Sequence, residues 1–271
     1  MATILDKIFA DKKEELDGTK RKAPLAQIKG RISEQQEVRK VRQALEQSPP
    51  SRIIAEIKKR TPFKGELRSG FDALEIARLY EKHGAAAISV LTETRYFGGN
   101  LDILSQIREQ ADLPLLRKDF IFDEYQVYES RAFGADFFLL IATWLDKNHL
   151  ADLMALGREL GLRALVETHC EADMEKAFSV EASIIGINNR DLTTGRTDLN
   201  ISRRLIPMGK MVPGNVLVCE SGIHGPGEIG EFEGLGAHAF LIGESLVTAE
   251  NIPEKLTELV GKRKEVSSRR D

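Results

Sequence analysis

Cysteine and aromatic residues are scarce in this chain of 271 residues, which contains two cysteines and one tryptophan. Cys170 and Cys219 do not belong to a paired motif, so a disulfide scaffold is not expected, and a reducing compartment such as the cytoplasm fits the composition. No apolar run approaches the ~20 residues that a bilayer span requires. The segment from Met1 to Asp17 is studded with charges where a signal peptide would be apolar. We therefore expect a soluble, cytoplasmic protein with no membrane partner.

Neither sign of charge predominates in the chain. Lys and Arg number 39, Asp and Glu number 42, and the formal net charge is −3. This balance predicts no nucleic-acid partner and no binding to an anionic membrane surface. The basic residues at 262–264 and 269–270 lie in a polar tail, which we interpret as a solvated chain end.

From Arg52 onward, apolar runs alternate with stretches of helical pattern. Strands are predicted near 52–58, 86–91, 114–118, 136–141, 163–167, 183–188, 216–220 and 238–242. Helices are predicted near 72–83, 100–110, 123–133, 146–161, 170–179, 201–208, 225–235 and 252–262. Four of these helices are followed by a glycine, the residue that most readily adopts the left-handed conformation of a C-cap. These glycines are Gly84, Gly134, Gly161 and Gly236.

Eight successive β–α units predict parallel strands joined by helical crossovers. A doubly wound open sheet would also have this pattern, but eight units without a switch in order favour a closed (β/α)8 TIM barrel of the α/β class. A chain of this length commonly forms one such domain. We expect a single domain over residues 1–271, with an N-terminal helical extension at 1–50, the barrel at 51–262 and a polar tail at 263–271.

The extension is predicted to contain two helices. Ile4, Leu5, Ile8 and Phe9 fall on one face of the first helix. The second helix is predicted to start at Ser33, with Gln36 as its capping-box partner, an apolar stripe of Val38, Val41 and Leu45, and a stop at Ser48-Pro49-Pro50.

Charged or amide side chains stand at the ends of many strands. Glu56 and Lys58 are two apart on one strand and so point to one face, whereas Arg117 points away from Lys118. Glu167, Asn188, Arg190, Glu220 and Ser221 complete the set. Burying such groups is costly unless they meet partners or ligands, so either they form structural ion pairs or they form a site at the mouth of the barrel. The second interpretation is favoured because so many ends are polar.

The residue types at these ends indicate the chemistry. No histidine is expected at them, which predicts proton transfer between lysine and glutamate instead of a histidine dyad or a metal centre. His83, His149 and His169 have no second ligand at a useful spacing, so no metal site is predicted. A lysine acid is already protonated at neutral pH, and a glutamate base is already ionised.

Two glycine-bearing turns follow the seventh and eighth strands. They read Glu220-Ser221-Gly222-Ile223 and Leu241-Ile242-Gly243-Glu244-Ser245. Barrel enzymes often bind phosphate at these two places through backbone N–H groups, which predicts a phosphorylated small molecule as the substrate. The loop Tyr96–Asn100 after the second strand is interpreted either as a mobile wall against an aromatic ligand or as a plain turn.

Seven motifs, in order, resemble the indole-3-glycerol phosphate synthase family. They are Ile54–Lys58, Ser89–Glu93 with Tyr96-Phe97, Leu116–Phe120, Leu165–Glu167, Ile185–Leu192, Glu220–Ile223 and Phe240–Leu246. The resemblance runs from about residue 50 to 247, and the N-terminal extension fits the same family. It implies a (β/α)8 barrel that closes the indole ring of tryptophan biosynthesis. The implied substrate is 1-(2-carboxyphenylamino)-1-deoxyribulose 5-phosphate, and no metal or organic cofactor is implied.

The resemblance also implies roles for individual residues. Lys118 would protonate the ketone oxygen with Glu56 as its partner, Lys58 would meet the carboxylate and act in dehydration, and Glu167 would be the base or acid of the later step. Substrate contacts are implied at Thr61, Phe97, Phe120, Asn188, Arg190, Leu192 and Glu220. Phosphate contacts are implied at Ser221, Gly222, Gly243 and Glu244.

One motif departs from the family, because Thr61-Pro62-Phe63 stands where the family usually has Ser-Pro-Ser. Phe63 therefore occupies a loop expected to close over the substrate, and Gly195 loosens the loop after the sixth strand. The alternatives are another phosphate-binding barrel such as phosphoribosylanthranilate isomerase, which would require a Cys/Asp pair, or a catalytically silent barrel used for binding. A monomer or a weak homo-oligomer is expected.

Overall fold

The fold is a closed barrel of eight parallel strands in the order β1-β10-β9-β8-β7-β6-β5-β4. The computed structural model describes residues 4–46, 51–191 and 193–261. In chain order the strands are β1 Arg52–Ile57, β2 Arg60–Thr61, β3 Gly65–Glu66, β4 Ala87–Leu91, β5 Leu115–Lys118, β6 Phe137–Ile141, β7 Arg163–Thr168, β8 Ile184–Asn188, β9 Val216–Glu220 and β10 Ala239–Ile242. The predicted (β/α)8 TIM barrel is confirmed, and each barrel strand agrees with its prediction to within one residue at either end.

Twelve helices are present among the described residues. They are α1 Ile4–Lys22, α2 Leu25–Ile32, α3 Val41–Glu46, α4 Ala73–Lys82, α5 Leu101–Arg108, α6 Glu124–Ala132, α7 Lys147–Glu159, α8 Glu171–Ser179, α9 Asn200–Lys210, α10 Pro226–Leu235, α11 Glu244–Val247 and α12 Ile252–Val260. In the same part of the chain, no helix is both long and apolar enough to cross a membrane.

The barrel strands are recognisable in the sequence because both of their faces are covered. All five residues of β6 are buried, and the same holds for β4, β8 and β9. Strands between a packed barrel interior and a ring of helices have no solvent face, so they appear as continuous apolar runs. The barrel helices have clear ends: Asp72 and Asp146 each accept two backbone N–H groups as N-caps. The four predicted C-cap glycines all have positive φ.

The N-terminal extension differs from its prediction. The first helix is present as α1, and Leu5 and Ile8 are buried. The helix start predicted at Ser33 is wrong. Helix α2 ends at Ile32, and the Ser33 hydroxyl donates to the Gly30 carbonyl at 2.8 Å instead of capping a new helix. Residues 36–40 are irregular, and α3 begins at Val41. The predicted stop at 48–50 lies outside the described residues.

Residues 36–40 do not form a helix because hydrogen bonds hold this segment against the base of the barrel. The Arg39 N–H donates to Asp136 Oδ1 at 2.7 Å, and its guanidinium donates to the Leu113 carbonyl at 2.6 Å. Arg108 Nη1 binds both carboxylate oxygens of Asp136, at 2.8 and 3.0 Å. A chain that gives its backbone N–H to a buried carboxylate cannot also complete a helical ladder there, so the tertiary contact overrides the local helical pattern.

A second buried ion cluster joins α1 to the strand that carries Lys118. Lys12 Nζ lies 3.0 Å from Asp119 Oδ1, and Asp119 Oδ2 accepts from Arg117 at 3.1 Å. Arg117 also pairs with Glu129 of α6 at 2.7 Å. Arg117 thus points outward toward the helices, as expected from its alternation with Lys118. The extension is therefore fixed beside the carboxyl end of β5.

Candidate active site

A cavity of about 290 Å³ opens at the carboxyl ends of the barrel strands. This is the end at which barrel enzymes carry their active sites. The predicted site residues that line it are Glu56, Lys58, Thr61, Phe97, Lys118, Phe120, Glu167, Asn188, Arg190, Glu220, Ser221, Gly222, Gly243 and Glu244. Leu192, the remaining predicted site residue, lies outside the described residues. The sequence prediction of one polar site at one end of the barrel therefore matches the geometry, while the role of each residue stays a prediction.

The floor of the cavity is a layer of four ionisable side chains. Glu56, Lys118, Glu167 and Glu220 come from β1, β5, β7 and β9, which are alternate strands of the barrel. Alternate strands fill the same layer in this fold, which explains why these four residues meet. Lys118 Nζ lies 2.8 Å from Glu167 Oε2 and 3.5 Å from Glu220 Oε2. The layer therefore contains one ammonium group among three carboxyl groups.

Lys118 is held in its charged form. Burial alone would lower the pKa of Lys118, but the carboxylates of Glu167, Glu220 and Glu56 raise it above its ordinary value. The lysine is therefore an ammonium group at neutral pH. An ammonium group in this position can donate a proton to an alkoxide that develops when a ketone is attacked.

The two glutamates beside Lys118 differ in protonation. Burial would raise the pKa of Glu167, but Lys118 and then His169 lower it below the ordinary glutamate value. For Glu220, burial raises the pKa well above the ordinary value, and the nearby Glu167 carboxylate adds to the effect although Lys118 opposes it. Glu167 is the closer of the two to the ammonium group, so we assign the negative charge to Glu167 and a proton to Glu220.

Glu56 pairs with a different lysine from the one predicted. The resemblance implied a partnership with Lys118, but the direct ion pair of Glu56 is with Lys58, one residue beyond the end of β1. The two side chains point to the same face, as their spacing predicted, so Lys58 lies above the floor layer. Lys118 instead has Glu167 as its nearest carboxylate. Lys58–Glu56 and Lys118–Glu167 are thus two separate lysine–glutamate pairs in the cavity.

Two glycines make room for the carboxyl groups of the floor. A Cβ atom added to Gly243 would overlap Glu56 Oε1, and one added to Gly186 would overlap Glu220 Oε1. Gly186 lies in β8 and Gly243 follows β10. Gly243, predicted as a phosphate contact, therefore also allows Glu56 to reach its position.

We expect Gly186→Ala to lower kcat about tenfold or more, because the new methyl group displaces the Glu220 carboxyl from its place beside Lys118. Steady-state kinetics measures the effect. Gly230→Ala is the matched control, since Gly230 lies in helix α10 and has open space around it. The control should leave kcat unchanged and gain up to about 1 kcal/mol of stability. Equal kcat values in the two variants would contradict the role given to Gly186.

The predicted phosphate turns combine a left-handed backbone with a helix start. Ser221 and Gly222 are consecutive residues with φ of +64° and +79°. This left-handed turn lies at the lining of the cavity after β9. Gly243 immediately precedes α11, which no side chain caps. Glu244 is held by Arg190 at 3.1 Å and by Lys64. Two cations thus border the turns on the side of Glu244.

Apolar and aromatic residues form the opposite wall. Leu5 and Ile8 of α1 line the cavity together with Phe97 and Phe120. The sequence pattern identified the apolar face of α1 but not its contact with the cavity. Behind this wall, Phe9 stacks on Trp144 with ring centroids 4.0 Å apart. Trp144 therefore packs behind the cavity wall.

The loop after β4 is fixed in place. Glu93 is buried and accepts the backbone N–H groups of Arg95, Tyr96 and Phe97 at 3.0, 2.7 and 2.9 Å. Of the two interpretations of this loop, a wall of the cavity fits better, because these hydrogen bonds carry Phe97 to the cavity. Glu93, two residues beyond the end of β4, therefore supports this loop.

The loop after β1 forms a short hairpin of β2 and β3 and lies over the cavity. Thr61 is buried, and its hydroxyl accepts the Lys64 N–H at 3.0 Å. Phe63 is 47% exposed and packs on Gly195 of the loop after β8. A Cβ atom at Gly195 would lie 2.8 Å from the Phe63 ring, so the glycine permits this contact. The sequence singled out both residues without indicating that they meet.

The prediction that no histidine stands at a strand end is wrong. His169 directly follows β7, and its Nε2 atom lies 3.4 Å from Glu167 Oε1. His224, in the loop after β9, lines the cavity. The histidines do not create a metal site: within the described residues, no group of three or more His, Cys, Asp or Glu side chains is arranged to hold a metal ion. The strand-end pattern missed His169 because its position depends on the turn into α8.

A family model described as indole-3-glycerol phosphate synthase matches residues 5–259 of the chain. An indole-3-glycerol phosphate synthase from Roseiflexus sp. is 45% identical over 267 residues, covering 96% of this chain and 99% of the relative. The protein of the same name from Campylobacter fetus subsp. fetus is 42% identical over 258 residues, covering 95% of this chain and 99% of the relative.

Solved structures show the same fold at lower sequence identity. A 3-hexulose-6-phosphate synthase superimposes with a TM-score of 0.62 at 15% identity, covering 77% of this chain and 97% of the other. A 3-keto-L-gulonate-6-phosphate decarboxylase from Vibrio cholerae has a TM-score of 0.60 at 16% identity, covering 78% of this chain and 96% of the other. At these identities the likeness concerns the barrel alone.

Proposed function

The chain belongs to the indole-3-glycerol phosphate synthase family, and from that premise we propose how its cavity carries out the reaction. The enzyme is a carboxy-lyase of tryptophan biosynthesis, as the resemblance implied, and the isomerase alternative is wrong. In the reaction, 1-(2-carboxyphenylamino)-1-deoxyribulose 5-phosphate gives indole-3-glycerol phosphate, CO₂ and water. Ring closure, decarboxylation and dehydration each move charge or a proton, and the lysine and glutamate residues of the cavity can supply these transfers.

Lys118 is the general acid of ring closure. The aromatic carbon that bears the carboxylate attacks the ketone carbon, and negative charge develops on the ketone oxygen. The observation that carries this assignment is the position of the Lys118 ammonium on the cavity floor, between Glu167 and Glu220. Proton donation from Lys118 turns the developing alkoxide into a hydroxyl group. Loss of CO₂ then returns an electron pair to the ring.

Glu167 and Lys58 act in the dehydration that follows. The new hydroxyl group leaves as water after it takes a proton from Lys58, whose ammonium is held by Glu56. Glu167, which is ionised, removes the proton whose loss completes the indole ring. The two lysine–glutamate pairs thus serve different steps. No metal or organic cofactor is required by this sequence of proton transfers.

The rest of the cavity orients the substrate. The phosphate binds to backbone N–H groups of Ser221, Gly222, Gly243 and Glu244, and the support is that all four line the cavity at the turns after the last two barrel strands. The carboxylate of the substrate can contact Lys58, and Thr61 and Arg190 also line the cavity. Phe97 and Phe120 offer apolar contact to the aromatic ring, and Asn188 and Glu220 offer polar contact to the hydroxyl groups.

Purified protein incubated with the carboxyphenylamino-deoxyribulose phosphate tests the proposed function. Indole fluorescence follows the product, and the reaction is run with a metal chelator and without added metal. Turnover under these conditions supports the mechanism. If no product forms either with the chelator or with added metal, the function is refuted. If product forms only with added metal, the Lys/Glu mechanism is refuted.

Phe63→Ser should raise KM several-fold and leave the chemical step within about twofold, because Phe63 belongs to the loop over the cavity, where it packs on Gly195, and is not one of the floor residues. Single-turnover and steady-state kinetics separate the two effects. Met211→Ser is the matched control, since it removes an apolar side chain that is 75% exposed and does not line the cavity. A large loss in the single-turnover rate of the Phe63 variant would contradict this expectation.

The enzyme is proposed to act in the cytoplasm as a monomer or a weak homo-oligomer. The support for the location is the scarcity of cysteine, since Cys170 and Cys219 are both free. Light scattering during size-exclusion chromatography measures the oligomeric state over a range of concentrations, and cell fractionation measures the location. A stable oligomer at the lowest concentration would refute the proposed oligomeric state, and recovery outside the cytoplasmic fraction would refute the proposed location.

A further inference from the structure

His169 lies behind Glu167, outside the set of residues that line the cavity. It is the first residue after β7, and its backbone N–H donates to Asp173 Oδ2 of α8 at 3.1 Å. Asp173 therefore fixes the turn that carries the histidine. The imidazole is 16% exposed, and it lies between Glu167 on one side and Thr143 of the loop after β6 on the other.

The two oxygens of the Glu167 carboxylate face different partners. Oε2 accepts from Lys118 at 2.8 Å, while Oε1 lies 3.4 Å from His169 Nε2. Nε2 is buried and makes no hydrogen bond to the described residues. A buried polar atom without a partner beside a reactive carboxylate calls for an explanation. Hydrogen bonds that serve catalysis are often long before the substrate is bound and shorten in its complex.

The hydroxyl group of Thr143 determines where the imidazole carries its hydrogen. Thr143 has one hydroxyl hydrogen and donates it to Asp173 Oδ2 at 2.7 Å. Its oxygen therefore accepts from His169 Nδ1, which lies 3.3 Å away. With a hydrogen on Nδ1, a neutral imidazole presents a lone pair to Glu167 Oε1. Only the imidazolium form can donate from Nε2 to that oxygen.

We propose that His169 is a positioning residue whose imidazolium holds Oε1 of Glu167, so that Oε2 stays directed at Lys118 and the substrate. The groups that face the imidazole are Glu167 from β7, Asp173 from α8 with Oδ2 3.9 Å from Nδ1, and Thr143. Two carboxylates and a hydroxyl oxygen offer acceptors to the two ring nitrogens. The inference deepens the proposed function, since it rests on Glu167 as the base of the later step.

Two conservative variants distinguish the roles of the two ring nitrogens of His169. Glutamine carries its side-chain nitrogen the same number of bonds from Cα as Nε2 of histidine, whereas asparagine matches Nδ1. His169→Gln therefore keeps the donor to Glu167, and His169→Asn keeps only the donor to Thr143. We expect kcat of His169→Asn to fall about tenfold, which corresponds to one hydrogen bond to a charged group. KM should stay within twofold, and His169→Gln should retain kcat within about twofold at its optimum.

The contrast between the two variants provides a readout that a purely structural role would not change. Both variants remove the ring, so a structural role predicts similar losses in both. A positioning role predicts that kcat falls in His169→Asn alone, while KM of both variants stays within twofold of the wild-type value.

Each outcome decides the inference. Equal kcat in the wild-type enzyme and both variants overturns it, and so does an equal loss in both variants. If His169→Asn fails to fold, His169→Ala takes its place, because alanine also lacks the donor to Glu167: a kcat equal to that of His169→Gln overturns the inference, and a fall of about tenfold supports it. Failure of the proposed function is distinguishable, because the wild-type enzyme would then give no indole product at all.

Discussion

Lys118→Ala should lower kcat by about 10²- to 10⁴-fold and leave KM nearly unchanged. The ammonium group gives its proton to the ketone oxygen only as the new carbon–carbon bond forms, so its interaction strengthens in the transition state. A residue that acts in this way affects kcat and kcat/KM together. Steady-state kinetics, with indole fluorescence as the signal, measures both parameters.

The same substitution also changes the charge of the cavity floor. Glu167 and Glu220 lie 2.8 and 3.5 Å from Lys118 Nζ and would lose their shared cation. Urea unfolding of the variant therefore accompanies the kinetics. Lys20→Ala is the control, because Lys20 pairs with Asp123 at 2.7 Å and does not line the cavity. A folded Lys118 variant with wild-type kcat would refute the acid assignment.

Glu167→Gln should lower kcat by a similar factor of about 10²- to 10⁴-fold, again with little change in KM. The amide preserves the shape of the side chain and can still contact Lys118, but it cannot accept the proton that leaves during dehydration. In a single turnover, CO₂ release should precede indole formation by a measurable delay, because decarboxylation comes before the blocked step. Rapid-quench analysis of CO₂ and indole measures this delay.

Glu171→Gln is the matched control for the glutamate. Glu171 begins α8, is 54% exposed and pairs with Arg204 on the surface. Its substitution should leave both kcat and the timing of CO₂ release unchanged, since an exposed ion pair of this kind contributes about 0–1 kcal/mol to stability. If Glu167→Gln slows CO₂ release as much as indole formation, Glu167 acts at ring closure and the assignment to the later step is wrong.

The barrel could be predicted from sequence because its strands are uniform in environment. The five residues of β6, Phe137–Ile141, are all buried, so the strand appears as an unbroken apolar run. Polar side chains then follow the strands at one end, and the parallel arrangement brings those ends together. The meeting of Lys118 and Glu167 requires in addition that alternate strands share a layer, which no local pattern expresses.

The features that the sequence did not reveal depend on contacts between distant segments. Ser33 has the pattern of a helix start, but the following segment gives the Arg39 N–H to Asp136, which lies 97 residues away. The Phe63–Gly195 contact joins two loops of different strands. His169 approaches Glu167 because Asp173 fixes a turn. Local pattern predicts elements and strand ends, whereas such pairings follow from the closed barrel.

The crystal structure of a complex with a substrate analogue, in which the ketone is reduced to an alcohol, tests the assignment of Lys118 most directly. We expect Lys118 Nζ within about 3 Å of the alcohol oxygen, which is hydrogen-bond distance. The phosphate should lie against the backbone N–H groups of Ser221, Gly222 and Gly243. A complex in which the alcohol oxygen contacts another cation, with Lys118 still bound only to Glu167 and Glu220, would contradict the proposed mechanism.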